Sequence, residues 1–288
     1  MPLLYYWRGD NYRRDLDYGA GYHLNQASHL LHKIELGDSL WAFTRRKDGA
    51  YALAAELVVH AKTLNPPGYR YGRYRVWGDL SRSRYFQVNT QSDLTPLIRS
   101  LSVRSGKGIL GRAFQGLAAV RELDSVDNSV LLAYARGLEK EPRARLIPEE
   151  RLEALLVSKD ERAVEALLQA EPSGLAEERM RYLFMQAIKR DPKLVQSMRE
   201  RYQGRCQICI WEPRMIYGPD ICETHHIQWL SRGGDDVESN MVLLCPNHHR
   251  AIHRCDAQFD WEGLGFVFSP TRSEKLQLRE HILEPTER

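Results

Sequence analysis

The sequence predicts an α+β chain: a small barrel-like domain, a helical connector, and a compact domain stapled by metal. Three observations carry this prediction. Apolar, β-prone runs flank Arg45-Arg46-Lys47-Asp48-Gly49, and Asp-Gly is a hairpin signal. After Leu138 the apolar spacing changes from alternation to threes and fours. Toward the C-terminus, cysteine and histidine recur in two pairs, each with two residues between its members.

The first domain is expected over 1–140. Ser39 to Thr44 and Tyr51 to His60 read as strands, as do Tyr74-Arg75-Val76-Trp77 and Tyr85-Phe86-Gln87-Val88, with short helices over Ala27 to Ile34 and Leu94 to Leu101. The second segment, 141–190, starts at the break Glu141-Pro142-Arg143. Leu152, Leu155, Leu156, Val164, Leu167 and Leu168 then stripe one helical face, and Met180, Leu183, Phe184, Ala187 and Ile188 stripe another. These helices either connect two domains or complete the core of the first. The last domain, 191–288, opens with Asp191-Pro192, an N-cap followed by a first-turn proline.

The 288 residues suffice for two modest cores. At 43% hydrophobic and 27% charged, the chain is neither disordered nor fibrous. No run of about 18 apolar residues offers a membrane span. Met1-Pro2-Leu3-Leu4-Tyr5-Tyr6-Trp7-Arg8 lacks the pattern of a secretory signal, so a cytoplasmic protein with reduced thiols is expected. Five cysteines, an odd number, argue against a closed disulfide framework.

A net charge of +3 identifies no partner, but its distribution says more. From Lys62 to Arg112 there are ten Lys and Arg against Asp79 and Asp93, interleaved with Tyr69, Tyr71, Tyr74, Trp77, Tyr85 and Phe86. Cations meet phosphates and rings stack on bases, so the stretch suits nucleic acid; a solvated basic face over an aromatic core has the same composition.

Cys206-Gln207-Ile208-Cys209 and Cys245-Pro246-Asn247-His248 are the two pairs. Cys206, Cys209, Cys245 and His248 can close a tetrahedron around zinc, a structural site that a small domain needs. Cys222 and Cys255 have no partner at ligand spacing and read as ordinary thiols. Between and after the pairs stand Thr224-His225-His226-Ile227, Asn240 before Met241-Val242-Leu243-Leu244, and His249 and His253. Residues four apart share a helix face, so His249 and His253 can meet one ion. Adjacent strand residues point to opposite sides, so His225 and His226 take different tasks.

Together with Gly204-Arg205, Gly233-Gly234 and Leu244-Cys245-Pro246, this array resembles the HNH (ββα-metal) nuclease family over about 192–255. The resemblance implies a DNA endonuclease in which His226 is the general base and Asn240 orients the loop. His225 and His249 would ligate a divalent ion, and His253 would join them or contact phosphate. Arg250 or Arg254 would add a phosphate contact. Many members carry aspartate where His225 stands; an all-imidazole set leans toward manganese, nickel or cobalt, with magnesium the physiological default.

Ile34-Glu35-Leu36-Gly37-Asp38-Ser39-Leu40-Trp41-Ala42-Phe43 resembles the strand entry of PUA-like barrels, a superfamily of modified-base readers that includes EVE and ASCH domains. That implies a reader of double-stranded DNA, with Trp7, Tyr22, Trp41 and Trp77 either as pocket walls or as core aromatics filling a small barrel, and with Asp10, Asn89 or Asp93 either meeting the base edge or lying on the surface. The whole would be a modification-dependent restriction endonuclease acting on methylated DNA, with methylcytosine the expected base. A homodimer would cut both strands. The alternatives are a homing- or phage-type HNH enzyme reading unmodified sequence, and a non-catalytic zinc-bearing nucleic-acid-binding protein.

Overall fold

The computed structural model describes residues 1–17, 22–103, 106, 108–141, 162–163, 166, 192–229 and 235–283. Two compact units divide the chain, Met1–Leu146 and Ile147–Arg288. Nearly all of the connector expected over 141–190 lies outside the described residues, as do Arg104, Lys107, Asp191 and Gly233-Gly234.

In the first unit β1 (Leu3–Trp7), α1 (Gly9–Asp17), β2 (His23–Gln26) and α2 (Leu30–Lys33) precede the hairpin of β3 (Ser39–Arg45) and β4 (Tyr51–Leu64). The expected turn joins them: Arg46 N–H donates to Ala50 O at 2.8 Å. β5 (Tyr74–Gly78), β6 (Arg84–Tyr85), α3 (Thr95–Ser100), α4 (Leu110–Ala113), β7 (Val120–Glu122) and α5 (Ser125–Ala135) follow. The sheet order is β2-β5-β4-β3-β1-β7, with β6 also on β4. β1 lies parallel to β3, a pairing that alternation alone does not reveal.

The long strand β4 causes the curl. Its first part pairs with β3 and its last part with β5, with register shifts at Ala42/Phe43 and Val59/Ala61. Such bulges bend a strand and sharpen its twist. The sheet is curled, and among the described residues no ladder joins β2 to β7.

Both faces of this sheet are covered. Leu3, Leu40, Ala42 and Ala54 belong to one core cluster, whereas Leu4, Trp41, Phe43 and Leu53 belong to another. Strand parity explains the division, since neighbours point to opposite faces. It also explains why β3 and β4 read as continuous apolar runs rather than as alternating ones.

The second unit contains α6 (Pro192–Arg201), α7 (Pro213–Tyr217), β8 (Glu223–His226), β9 (Met241–Leu244), α8 (Pro246–Cys255), β10 (Gln258–Asp260), β11 (Gly265–Ser269), β12 (Arg272–Lys275) and α9 (Glu280–Leu283). β8 and β9 form an antiparallel pair, and β10-β11-β12 a separate sheet. Met198, Val242, Leu243, Leu244, Ile252, Phe259 and Phe266 fill its own core. A buried polar lock ties its ends together: His281 on α9 meets the Tyr202 hydroxyl through Nδ1 and donates from Nε2 to Met241 O at 2.8 Å. Burial pushes the Tyr202 hydroxyl up to about 12.

Candidate functional site

The cysteine and histidine pairs come together. Cys206 and Cys209 sit in a tight turn closed by Ile210 N–H donating to Cys206 O at 2.8 Å. Cys245 is the N-cap of α8 and Pro246 begins it, which brings His248 round in the first turn beside the thiols. The Nδ1 atom of His248 lies 3.5 Å from Cys206 Sγ and 3.2 Å from Cys245 Sγ, and the Cys209 and Cys245 sulfurs are 4.0 Å apart. Burial raises all three thiols, so holding them as thiolates requires a cation between them. That donor set and spacing fit a four-coordinate ion.

Two residues besides those four organise this centre. Glu274 on β12 lies 3.1 Å from Nε2 of His248, which leaves Nδ1 as the ligand nitrogen. Gln207, fully buried inside the first pair, accepts from Leu243 N–H through Oε1 (2.7 Å) and donates to Leu278 O from Nε2 (2.6 Å). Its own backbone N–H donates to Leu243 O. Neither role is visible in the sequence, because each joins segments distant along the chain. Cys222 is buried and its thiol is raised to about 12, chiefly by burial, and Cys255 is exposed.

The second cluster stands on the hairpin and helix of the ββα arrangement. His225, His249 and His253 offer ring nitrogens within 4.8 Å of one another. The Nε2 atoms of His249 and His253 are 3.2 Å apart, as their four-residue spacing on α8 requires. His249 turns Nδ1 to Glu223, so its Nε2 lone pair faces the shared point. His225 is only 2% exposed, and among the described residues neither of its ring nitrogens has a hydrogen-bond partner. Burial and the neighbouring imidazoles hold it neutral, well below the usual 6.5. A buried neutral imidazole with both nitrogens unsatisfied suits a metal ligand.

His226, its neighbour on β8, points elsewhere. Its Nε2 lies 2.9 Å from Asp236 Oδ1, and Asp236 is itself largely buried. Asn240 staples the loop between them: Oδ1 accepts from Gln228 N–H (2.8 Å), and Nδ2 donates to Gln228 O (2.9 Å) and Asp235 O (2.7 Å). Asp236 escapes sequence reasoning, since no regular spacing relates it to His226. Arg250 and Arg254 are exposed on α8.

The residues proposed for a base pocket do not gather in one place. Trp41 is fully buried on one face of the sheet, with its indole N–H donating to Asn128 Oδ1 at 2.8 Å. Trp77 is buried with its N–H on Thr63 Oγ1 at 2.8 Å. Both are core residues whose polar handle is already used. Trp7 is half-buried against Tyr12, with ring centres 5.2 Å apart, and Tyr22 stacks edge-on to Tyr85 at 4.8 Å, in the other core cluster. Asp10 and Asn89 are exposed, the former paired with Arg13. Asp93 accepts from Tyr51 and Thr95 N–H groups, a turn-capping role.

Comparison with known proteins finds a match within the second unit. The HNH endonuclease family matches residues 206–254, so the chain carries an HNH endonuclease domain. The type IV methyl-directed restriction enzyme EcoKMcrA of Escherichia coli (strain K12) is 36% identical over 66 residues, which are 22% of this chain. The match spans 24% of that relative's length. Among solved structures, a modification-dependent TagI restriction endonuclease is similar at 13% identity and a TM-score of 0.27, over 86% of this chain and 59% of that one. The type IV phosphorothioation-dependent restriction endonuclease ScoMcrA is similar at 16% identity and a TM-score of 0.21, over 80% and 44% respectively. No described helix is long and apolar enough to cross a membrane.

Proposed function

We propose, from an HNH domain in which three imidazoles converge beside a carboxylate-held histidine, that this chain is a DNA endonuclease dependent on base modification. The observation that carries the reading is the division of labour on β8, where His225 faces the His249–His253 cluster while His226 faces Asp236.

A divalent ion (magnesium, manganese, nickel or cobalt) held by His225, His249 and His253 would supply Lewis-acid stabilisation of charge developing on the phosphodiester. The chain's own residues supply the rest. Held at Nε2 by Asp236, His226 accepts a proton from the attacking water. The water oxygen bonds to phosphorus, the bond to the 3′ oxygen breaks, and solvent protonates the leaving oxygen. Asn240 holds the loop that carries Asp236, and Arg250 reaches a phosphate oxygen.

Cys206, Cys209, Cys245 and His248 would hold a structural zinc. Zinc–sulfur bonds of about 2.3 Å and zinc–nitrogen bonds of about 2.0 Å imply tetrahedral edges of roughly 3.5–3.8 Å. The separations of 3.2–4.0 Å bracket that range.

The relative named for methyl-directed restriction supports a modified substrate, with methylcytosine the first candidate. The first unit would then be the reader, a PUA-like sheet whose rings near Trp7 and Tyr22 receive the base. One HNH site nicks one strand, so a double-strand break calls for a homodimer. The test is digestion of one plasmid with and without defined methyltransferase treatment. Cleavage confined to the treated plasmid is expected, and equal cutting of both would remove the modification requirement. His226→Ala should retain zinc and fold yet nick neither plasmid.

A further inference from the structure

Between β4 and β5 runs the loop 65–73, Asn-Pro-Pro-Gly-Tyr-Arg-Tyr-Gly-Arg. No acid occurs from 57 to 78, whereas Lys62, Arg70, Arg73 and Arg75 are all cationic. Lys62 is occupied inside the unit, donating to the carbonyls of His32 and Ile34. Arg75 is 4% exposed, lodged between rings: its guanidinium carbon is 5.4 Å from the centre of Tyr69 and 5.1 Å from that of Trp77. Its Nε donates to Asn25 Oδ1 at 2.6 Å, and among the described residues no carboxylate pairs with it. A cation withdrawn from water without a counter-charge leaves a positive field at the loop above it.

The loop is also stiff. Asn65 N–H donates to Arg73 O at 2.8 Å, and its side chain donates to Gly72 O at 2.7 Å. Gly72, at φ 104°, lies so close to the end of β2 that a Cβ would stand 2.2 Å from Ala27 N. At the tip Arg70 is exposed, its guanidinium 5.5 Å from the centre of the Tyr71 ring. Tyr71 is 41% exposed, its ring edge-on to that of Tyr69 with centres 5.9 Å apart.

We propose that loop 65–73 is the element with which the first unit grips DNA. Arg70 and Arg73 neutralise phosphates, and Tyr71 lays its ring against a base. The proposal rests on the DNA-cleaving reading above. A pre-ordered loop loses little freedom on binding, cations release counterions from the duplex, and an exposed ring stacks on a base that has left the helix stack. None of the residues named for the base pocket lies in this loop, so the grip and the reading of the base are separate functions.

The test is fluorescence anisotropy of a labelled duplex with full-length His226→Ala protein across a salt series. In that background, Arg70→Gln with Arg73→Gln should reduce the slope of log affinity against log salt by about 1.8, or about 0.9 for each phosphate no longer neutralised. Tyr71→Ala should weaken binding about tenfold at unchanged slope, while Tyr71→Phe binds as the parent does. An unchanged slope in the double variant, with DNA still nicked by the unmutated chain, overturns the loop proposal alone. So does an equal loss of slope from Arg136→Gln with Lys140→Gln, two exposed charges elsewhere in the unit. A chain that neither binds nor nicks DNA overturns the nuclease reading itself.

Discussion

At the scale of single residues, the informative side chains are carboxylates that no motif contains. Asp236, Glu223 and Glu274 each meet one ring nitrogen of a histidine of the array and so orient its ring. Second partners of this kind commonly change activity or metal affinity by about 10–100-fold. Asp236→Asn should therefore slow nicking by about that factor at saturating metal without altering metal affinity. A parallel loss of metal binding would mean that Asp236 supports the cluster rather than His226. Tyr202 gives a second residue-level prediction. Its hydroxyl ionises at about 12 in the folded chain against about 10 when unfolded. In the interval the unfolded chain has lost a proton that the folded chain keeps, so stability falls as pH rises from 10 to 12. Tyr202→Phe should flatten that alkaline slope in denaturant melts, and an undiminished slope would place its origin elsewhere.

At the scale of elements, register decides the outcome. The β8–β9 ladder pairs His225 with Val242 and His226 with Met241, and one residue of slippage would exchange the faces of the two histidines. Gln207 guards that register by bonding both backbone groups of Leu243. Gln207→Ala removes a buried amide and strands its partners, costing about 2–4 kcal/mol by chemical denaturation; a change below about 0.5 kcal/mol would show that the register has other guards. Sequence legibility follows the same logic. The clustering of His249 with His253 was legible because a helix fixes the geometry of neighbours four apart. So were the hairpin at Asp48-Gly49 and the two ligand pairs, because turns are local. The parallel β1–β3 ladder, the core positions of Trp41 and Trp77, and the Asp236 contact were not, since each depends on segments that the chain alone does not bring together. Trp41 and Trp77 show the limit well: composition marks an aromatic as valuable but cannot say which face of a sheet receives it.

At the scale of the whole molecule, each unit encloses its own core, and both candidate metal clusters belong to the second. A strong chelator should therefore abolish the melting transition of the second unit and leave that of the first near its original temperature. A single transition displaced as a whole would show that the two units unfold as one. If the first unit holds DNA and zinc folds the second, as proposed, the asymmetry has a consequence for a cell short of zinc. Newly made chains would retain the half that holds DNA and lack a folded blade, occupying sites they cannot sever. Such chains would shield those sites from their own metallated copies, so scarcity of the metal would blunt restriction faster than the shortage of finished enzyme alone would suggest.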